Sequence, residues 1–199
     1  MNITVIIRSM GRPTLERALA SVRAQGLPEV SSLVIDAKAR GLRRAQAAQA
    51  GLNEVQTPWA LFLDDDDELL EGHLKKLATA LHSNPQAVAA YTGVEQRVEG
   101  LAQSLAAWDR AFEPWELLAA NALPIHAVLF DVPRLRQANV HFDDTFDTFE
   151  DWDFWLQVQC AGPMVYTPGI SAVYWLAAPR TEPAPLSTGQ SSQDRKSVV

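Results

Sequence analysis

A single cysteine, Cys160, stands in 199 residues, which excludes an internal disulfide framework and any cysteine-rich zinc site. No apolar run approaches the roughly 20 residues needed to span a bilayer. The opening Met1-Asn2-Ile3-Thr4-Val5-Ile6-Ile7 lacks a basic segment and passes straight into a strand-like run, so it does not read as a signal peptide. No lipid-anchor motif, basic amphipathic helix or internal repeat is evident. Positive charge is also in short supply: 17 Lys and Arg against 24 Asp and Glu leave a net charge of −7. That balance argues against nonspecific nucleic-acid binding, which relies on a basic face. The expectation from these absences is a cytoplasmic protein of one domain, long enough to bury a substantial core.

The acidity is concentrated. Asp64, Asp65, Asp66, Asp67 and Glu68 follow directly on the apolar run Trp59-Ala60-Leu61-Phe62-Leu63. An apolar run bounded by acids reads as a buried strand whose end emerges into solvent. Two like charges about 4 Å apart cost on the order of 4 kcal/mol at an effective dielectric of about 20. A divalent cation removes that cost, and hard oxygen ligands suit magnesium, manganese or calcium. Ligands of open α/β sheets bind outside the carboxyl ends of the strands, where this cluster falls. The plainer alternative is a solvated acidic loop capping the next helix. A calcium loop of the EF-hand type is excluded, because Leu69 stands where such a loop needs glycine.

Hydrophobic periodicity lays out the rest. Strands are expected at Ile3 to Ile7, Leu33 to Ile35, Trp59 to Leu63 and Ala87 to Thr92, with Val94 to Val98 pairing beside the last. Helices are expected at Thr14 to Gln25, Gly41 to Gln56 and His73 to Ser83. This β-α-β-α-β-α-β order predicts a largely parallel sheet with helices on both faces. Beyond it, Gln103 to Leu118 reads as short helices or a loop, and Ala127 to Phe130 as a strand. Glu150 to Cys160 reads as a helix, and Val165-Tyr166 and Ile170 to Trp175 as closing strands. From Pro179 the chain is rich in Pro, Ser, Thr and Gln, so residues 179–199 are expected to be a disordered tail after a domain at 1–178.

Several of these segments resemble family 2 glycosyltransferases, which have the GT-A fold. Ile3 to Ile7 with Leu15-Glu16-Arg17-Ala18-Leu19-Ala20-Ser21-Val22 and Gln25 resembles their opening. Leu61-Phe62-Leu63-Asp64-Asp65-Asp66-Asp67 resembles their DxD signature. Phe142-Asp143-Asp144 and Phe149-Glu150-Asp151-Trp152 resemble the approach to their downstream Glu-Asp motif and the motif itself. The likeness covers about residues 1 to 176 and implies a metal-dependent, inverting transfer of a sugar from a nucleotide diphosphate, UDP being the first candidate, to a hydroxyl. Mn2+ or Mg2+ is the implied cofactor, and a saccharide, lipid-linked or other hydroxyl compound the acceptor. By the same resemblance Asp64 and Asp66 take the DxD positions, Asp66 touching the metal, with Asp65 and Asp67 assisting. Asp151 is the implied general base and Glu150 its neighbour that orients the acceptor. Ser9, Arg12, Asp36, Arg40, Arg43 and Arg44 match nucleotide-contacting positions, and His126 a third metal ligand of some relatives. Trp108, Phe112, Trp115 and Trp152 are the acceptor candidates. For Glu150-Asp151 the residues alone also allow a helix N-terminus favoured by the macrodipole.

The match has gaps. Arg8 replaces the proline usual at the first strand's end, and Met10 an aromatic residue. Asp36 to Gly41 runs almost directly into a helix, where family members insert a further strand. Two other functions follow from these residues: a degenerate GT-A domain that binds without turnover, and a haloacid-dehalogenase-like phosphatase, whose Asp-x-Asp belongs on a first strand.

Overall fold

The chain is described here by a computed structural model covering residues 2–101 and 103–178. The tail expected from Pro179 onward lies outside the described residues.

The first strand sets the sheet. β1 (Ile3–Ser9) is buried at all seven positions, as a β-branched run flanked on both edges must be. It pairs in parallel with β2 (Val30–Asp36) on one side and β3 (Trp59–Asp64) on the other. α1 (Leu15–Arg23) connects the first two strands and buries Ala18, Ser21 and Val22. Between β2 and β3 lie α2 (Ala37–Arg40) and α3 (Arg44–Glu54). The helix expected from 41 to 56 is present as α3, trimmed at both ends, and α2 is a further short helix before it. Gly41, at φ 63°, takes the left-handed conformation that closes α2, a role suited to a residue without a Cβ.

After β3 come β4 (Glu68–Leu69), α4 (His73–Ser83), β5 (Ala89–Val98) and β6 (Ser104–Trp108). α4 has the expected bounds and buries Leu74, Leu77, Ala78 and Leu81. α5 (Glu116–Ala119), β7 (Val128–Asp131), α6 (Val132–Gln137), α7 (Glu150–Ala161) and β8 (Met164–Leu176) complete the fold. The eight-stranded sheet runs β2-β1-β3-β7-β5-β8-β4, with β6 beside β5. β2, β1, β3, β5 and β8 share one direction; β7, β4 and β6 oppose it. The expected largely parallel sheet is present, with β7 inserted antiparallel between β3 and β5.

An aromatic cluster fixes α7 to the sheet. Phe62 of β3 meets Phe142 edge-on at 5.2 Å and Phe130 of β7 at 5.6 Å, and Phe142 stacks on Phe154 of α7 at 4.1 Å. The Trp155 indole N–H donates to the Leu123 carbonyl at 3.1 Å. Helix α7 therefore starts beside the carboxyl ends of β1 and β3, which register Arg8 opposite Asp64.

Candidate active site

The four aspartates divide their work, and the backbone explains why. β3 ends at Asp64, and four residues later β4 pairs with β8 through Glu68–Val173 and Leu69–Ala172. The short turn between these anchored strands sends consecutive side chains in different directions.

Asp64 points at β1. Arg8 donates from Nε to Asp64 Oδ1 at 2.8 Å, and its Nη2 lies 2.7 Å from the same oxygen. Arg44, at the start of α3, places Nη2 3.7 Å from Asp64 Oδ2. Asp65 is fully buried and holds the loop after β1. Its Oδ2 accepts from Ser9 Oγ at 3.0 Å and from the Met10 amide at 2.7 Å, and its Oδ1 from Arg12 Nη1 at 3.0 Å. Asp66 is half-buried, with Oδ2 3.3 Å from Arg12 Nη1, while its carbonyl accepts from Arg17 Nη2 at 2.9 Å. Asp67 is buried: Oδ1 accepts from the Trp175 amide of β8 at 3.0 Å, and Oδ2 lies 3.3 Å from His126 Nδ1. Carboxylate oxygens of Asp64, Asp66 and Asp67 all come within 4.8 Å of one another. Hard oxygen donors so grouped fit a divalent cation such as Mg2+ or Mn2+.

Across from this turn stands the start of α7. Phe149 precedes it at φ 66°, an unusual backbone for a bulky residue and one that costs of order 1–3 kcal/mol. That conformation turns Glu150 and Asp151 into the cleft. Glu150 is buried and its Oε1 accepts from Arg8 Nη1 at 3.0 Å and from Arg44 Nε at 2.9 Å. Arg8 therefore joins Asp64 to Glu150. Asp151 Oδ2 accepts from Asn121 Nδ2 at 3.2 Å. Burial, and then the charge of Glu150, raise the Asp151 pKa against the opposing pull of Arg8 and Arg44. Burial alone would lower the Arg8 and Arg44 pKa values; Asp64 and Glu150 outweigh it, and both are raised.

The cleft between these groups has an empty volume of about 630 Å³, its open mouth included. Arg44, Asp64, Asp67, Glu150 and Asp151 supply charge to its walls, while Trp108, Ile125, Phe149 and Tyr174 supply apolar surface. His126, fully buried, also lines it.

The other candidates are more dispersed. Ser9 and Arg12 lie in the loop held by Asp65. Asp36 is exposed at the end of β2 and caps α2, accepting from the Ala39 amide at 2.8 Å. Arg40 pairs with Glu54 at the far end of α3, and Arg43 with Asp147 in the loop before α7, at 2.7 and 2.8 Å. Trp108 lines the cleft. Trp115 is 64% exposed before α5, and Trp152 donates its indole N–H to the Leu117 carbonyl at 2.6 Å. Phe112 packs on Tyr91 at 4.7 Å. Sequence reasoning passes over the part played by Arg8; its signal is the one charged residue near the end of a buried strand that is otherwise apolar or hydroxyl-bearing. Asn121 gave no local signal.

Residues 34–126 match the family model described as Glycosyl transferase family 2. A comparison with curated proteins finds no match. Among solved structures, the chain is similar to S. aureus TarS 1-349 (15% identity, 87% of this chain and 60% of that one, TM-score 0.66). It is similar also to the same protein in complex with UDP-GlcNAc (14%, 92% and 60%, TM-score 0.69). A third is the mannosyltransferase PcManGT from Pyrobaculum calidifontis in complex with GDP-Man and Mn2+ (14%, 90% and 58%, TM-score 0.62). The chain spans about 60% of the length of TarS 1-349. The phosphatase alternative falls with the fold, since Asp64 ends the third strand of a GT-A sheet. The chain thus carries a family 2 glycosyltransferase segment on the GT-A fold.

Proposed function

We propose that residues 1–178 form the catalytic domain of an inverting glycosyltransferase that moves a sugar from a UDP-sugar to an acceptor hydroxyl. The observation that carries this reading is that Asp151 shares one cleft with Asp64 and Asp67 of the acidic turn, in a fold whose solved neighbours include nucleotide-sugar complexes. Asp66 and Asp64, with Asp67 beside them, are the residues that would hold Mn2+ or Mg2+. Such a cation supplies Lewis-acid stabilisation to the charge gathering on a leaving diphosphate.

The residues of this chain do the rest. The acceptor oxygen attacks the anomeric carbon as the bond from that carbon to the diphosphate oxygen breaks, and the electron pair leaves with the diphosphate. Asp151 takes the acceptor proton, and its raised pKa makes it a stronger base than an ordinary aspartate. Asn121 holds one oxygen of that carboxylate. Arg44 supplies positive charge at the cleft wall, and Trp108 offers an aromatic face to an acceptor. Ser9, Arg12 and Asp36 sit at the carboxyl ends of β1 and β2, the side on which the nucleotide would lie.

A second reading, binding without turnover, is favoured by the engagement of Asp64 with Arg8 and Arg44. Release of UDP from UDP-sugars in the presence of Mn2+ decides between them. The wild type should turn over, and Asp151→Asn should lose roughly 10²- to 10⁴-fold in rate with UDP affinity retained. Full activity in Asp151→Asn would remove the base assignment. No turnover with UDP-, GDP- or dTDP-sugars would favour the binding domain.

A further inference from the structure

We infer that Arg8 is a positioning residue, which fixes the acceptor-side pair Glu150-Asp151 against the donor-side carboxylate Asp64. The inference rests on the glycosyltransferase reading above. Arg8 is the penultimate residue of a strand whose other positions are all apolar or hydroxyl-bearing, and it is 5% exposed. A charge is costly there unless paired and hydrogen-bonded. Its planar fork pairs with both carboxylates: Nε donates to Asp64 Oδ1 at 2.8 Å and Nη1 to Glu150 Oε1 at 3.0 Å, while Nη2 lies 2.7 Å from Asp64 Oδ1 as an ion-pair contact without hydrogen-bond geometry.

The two carboxylates belong to segments 86 residues apart, at the end of β3 and the start of α7, and Arg8 bridges them within the buried interior. Arg44 touches both as well, but from a more exposed position, with its side chain 37% accessible and 3.7 Å from Asp64. Arg8 is thus the inner clamp and Arg44 the outer one. Phe149, in its left-handed backbone, gives α7 a start that needs such a clamp. Asp151 is the next residue after the clamped Glu150, so freeing Glu150 displaces the base.

Lysine is the informative replacement. It keeps the charge but presents a single ammonium on a flexible stem, and lacks the rigid fork that spans two carboxylates. Arg8→Lys should retain UDP affinity and donor KM while kcat falls about 10- to 100-fold, the loss expected for a misplaced reacting group. Hydrogen exchange should accelerate in the segment 146–156 and stay unchanged in α4. Arg8→Met should show the same changes or larger ones; if it does not fold, Arg8→Lys alone decides. Equal loss of donor affinity and kcat, or unchanged exchange over 146–156, would overturn the inference. Absence of transfer by the wild type with every donor would overturn the proposed function and the catalytic part of this inference together. Slower turnover in Arg8→Lys with unchanged exchange would overturn the clamp alone.

Discussion

Asp65 should matter for folding rather than for chemistry, and its removal can be given a magnitude. Its carboxylate is fully buried and accepts from the Ser9 hydroxyl at 3.0 Å, the Met10 amide at 2.7 Å and the Arg12 guanidinium at 3.0 Å. Hydrogen bonds to a charged acceptor contribute about 1.5–3 kcal/mol each, and orphaning a buried donor adds to the cost of losing one. The Arg12 side chain is 37% exposed, so its ion pair is screened and adds less than about 1 kcal/mol. The contact from the Arg12 amide, at 3.5 Å, is too long to count. Asp65→Ala should therefore destabilise the domain by about 3–5 kcal/mol, which lowers the melting temperature by on the order of 10 °C for a domain of this size. Asp65→Asn keeps one carbonyl oxygen for Ser9 and Met10 and should cost about 1–2 kcal/mol. Urea denaturation of both variants beside the wild type measures these differences. A loss under about 1 kcal/mol in Asp65→Ala would refute the assignment of Asp65 to the loop.

Two further expectations concern pH. The Asp151 pKa is raised on folding, so the folded state holds that proton more tightly than the unfolded chain. Its contribution to stability is fully present below the unfolded pKa and lost as pH rises through the folded one. Asp151→Asn should accordingly be more stable than the wild type at neutral pH while losing transfer, and a thermal melt without that gain would contradict the burial argument. His73 goes the other way: burial, and then Lys76, lower its pKa from 6.5 to about 3. The unfolded chain takes up a proton below pH 6.5 that the folded state refuses, so stability should fall by about 2 kcal/mol between pH 6.5 and 5. His73→Gln should flatten that slope in denaturation curves, and an unchanged slope would remove His73 as its source.

Local features are legible in the sequence because their causes are local. Leu74, Leu77, Ala78 and Leu81 repeat with helical spacing, Asn84-Pro85 stops the run, and α4 occupies the expected residues. The acidic turn was visible because four of its members are adjacent. Long-range pairing was not visible. β7 comes from residues 128–131 yet lies between β3 and β5, an insertion that no neighbouring residue announces. Gly93 joins what read as two strands: its missing Cβ leaves room for the Asp109 carboxylate, which would otherwise stand 2.4 Å away. Thr167-Pro168-Gly169 likewise read as a break, but β8 passes through it with a register shift opposite Thr92 to Val94. The role of Arg8 escaped for the same reason, its partners lying 56 and 142 residues along the chain. Contiguity also conceals the division of labour among the aspartates, since a run of identical residues does not show that Asp64 meets Arg8 at the cleft wall, Asp65 holds a loop, Asp66 meets Arg12 and Asp67 lines the cleft beside His126.

Calorimetric titration of UDP with and without Mn2+, on the wild type and Asp66→Ala, tests most directly whether nucleotide and metal meet at Asp66. Binding that requires Mn2+ in the wild type and disappears in Asp66→Ala is the expected result. UDP binding of equal strength in both proteins, indifferent to Mn2+, would contradict it.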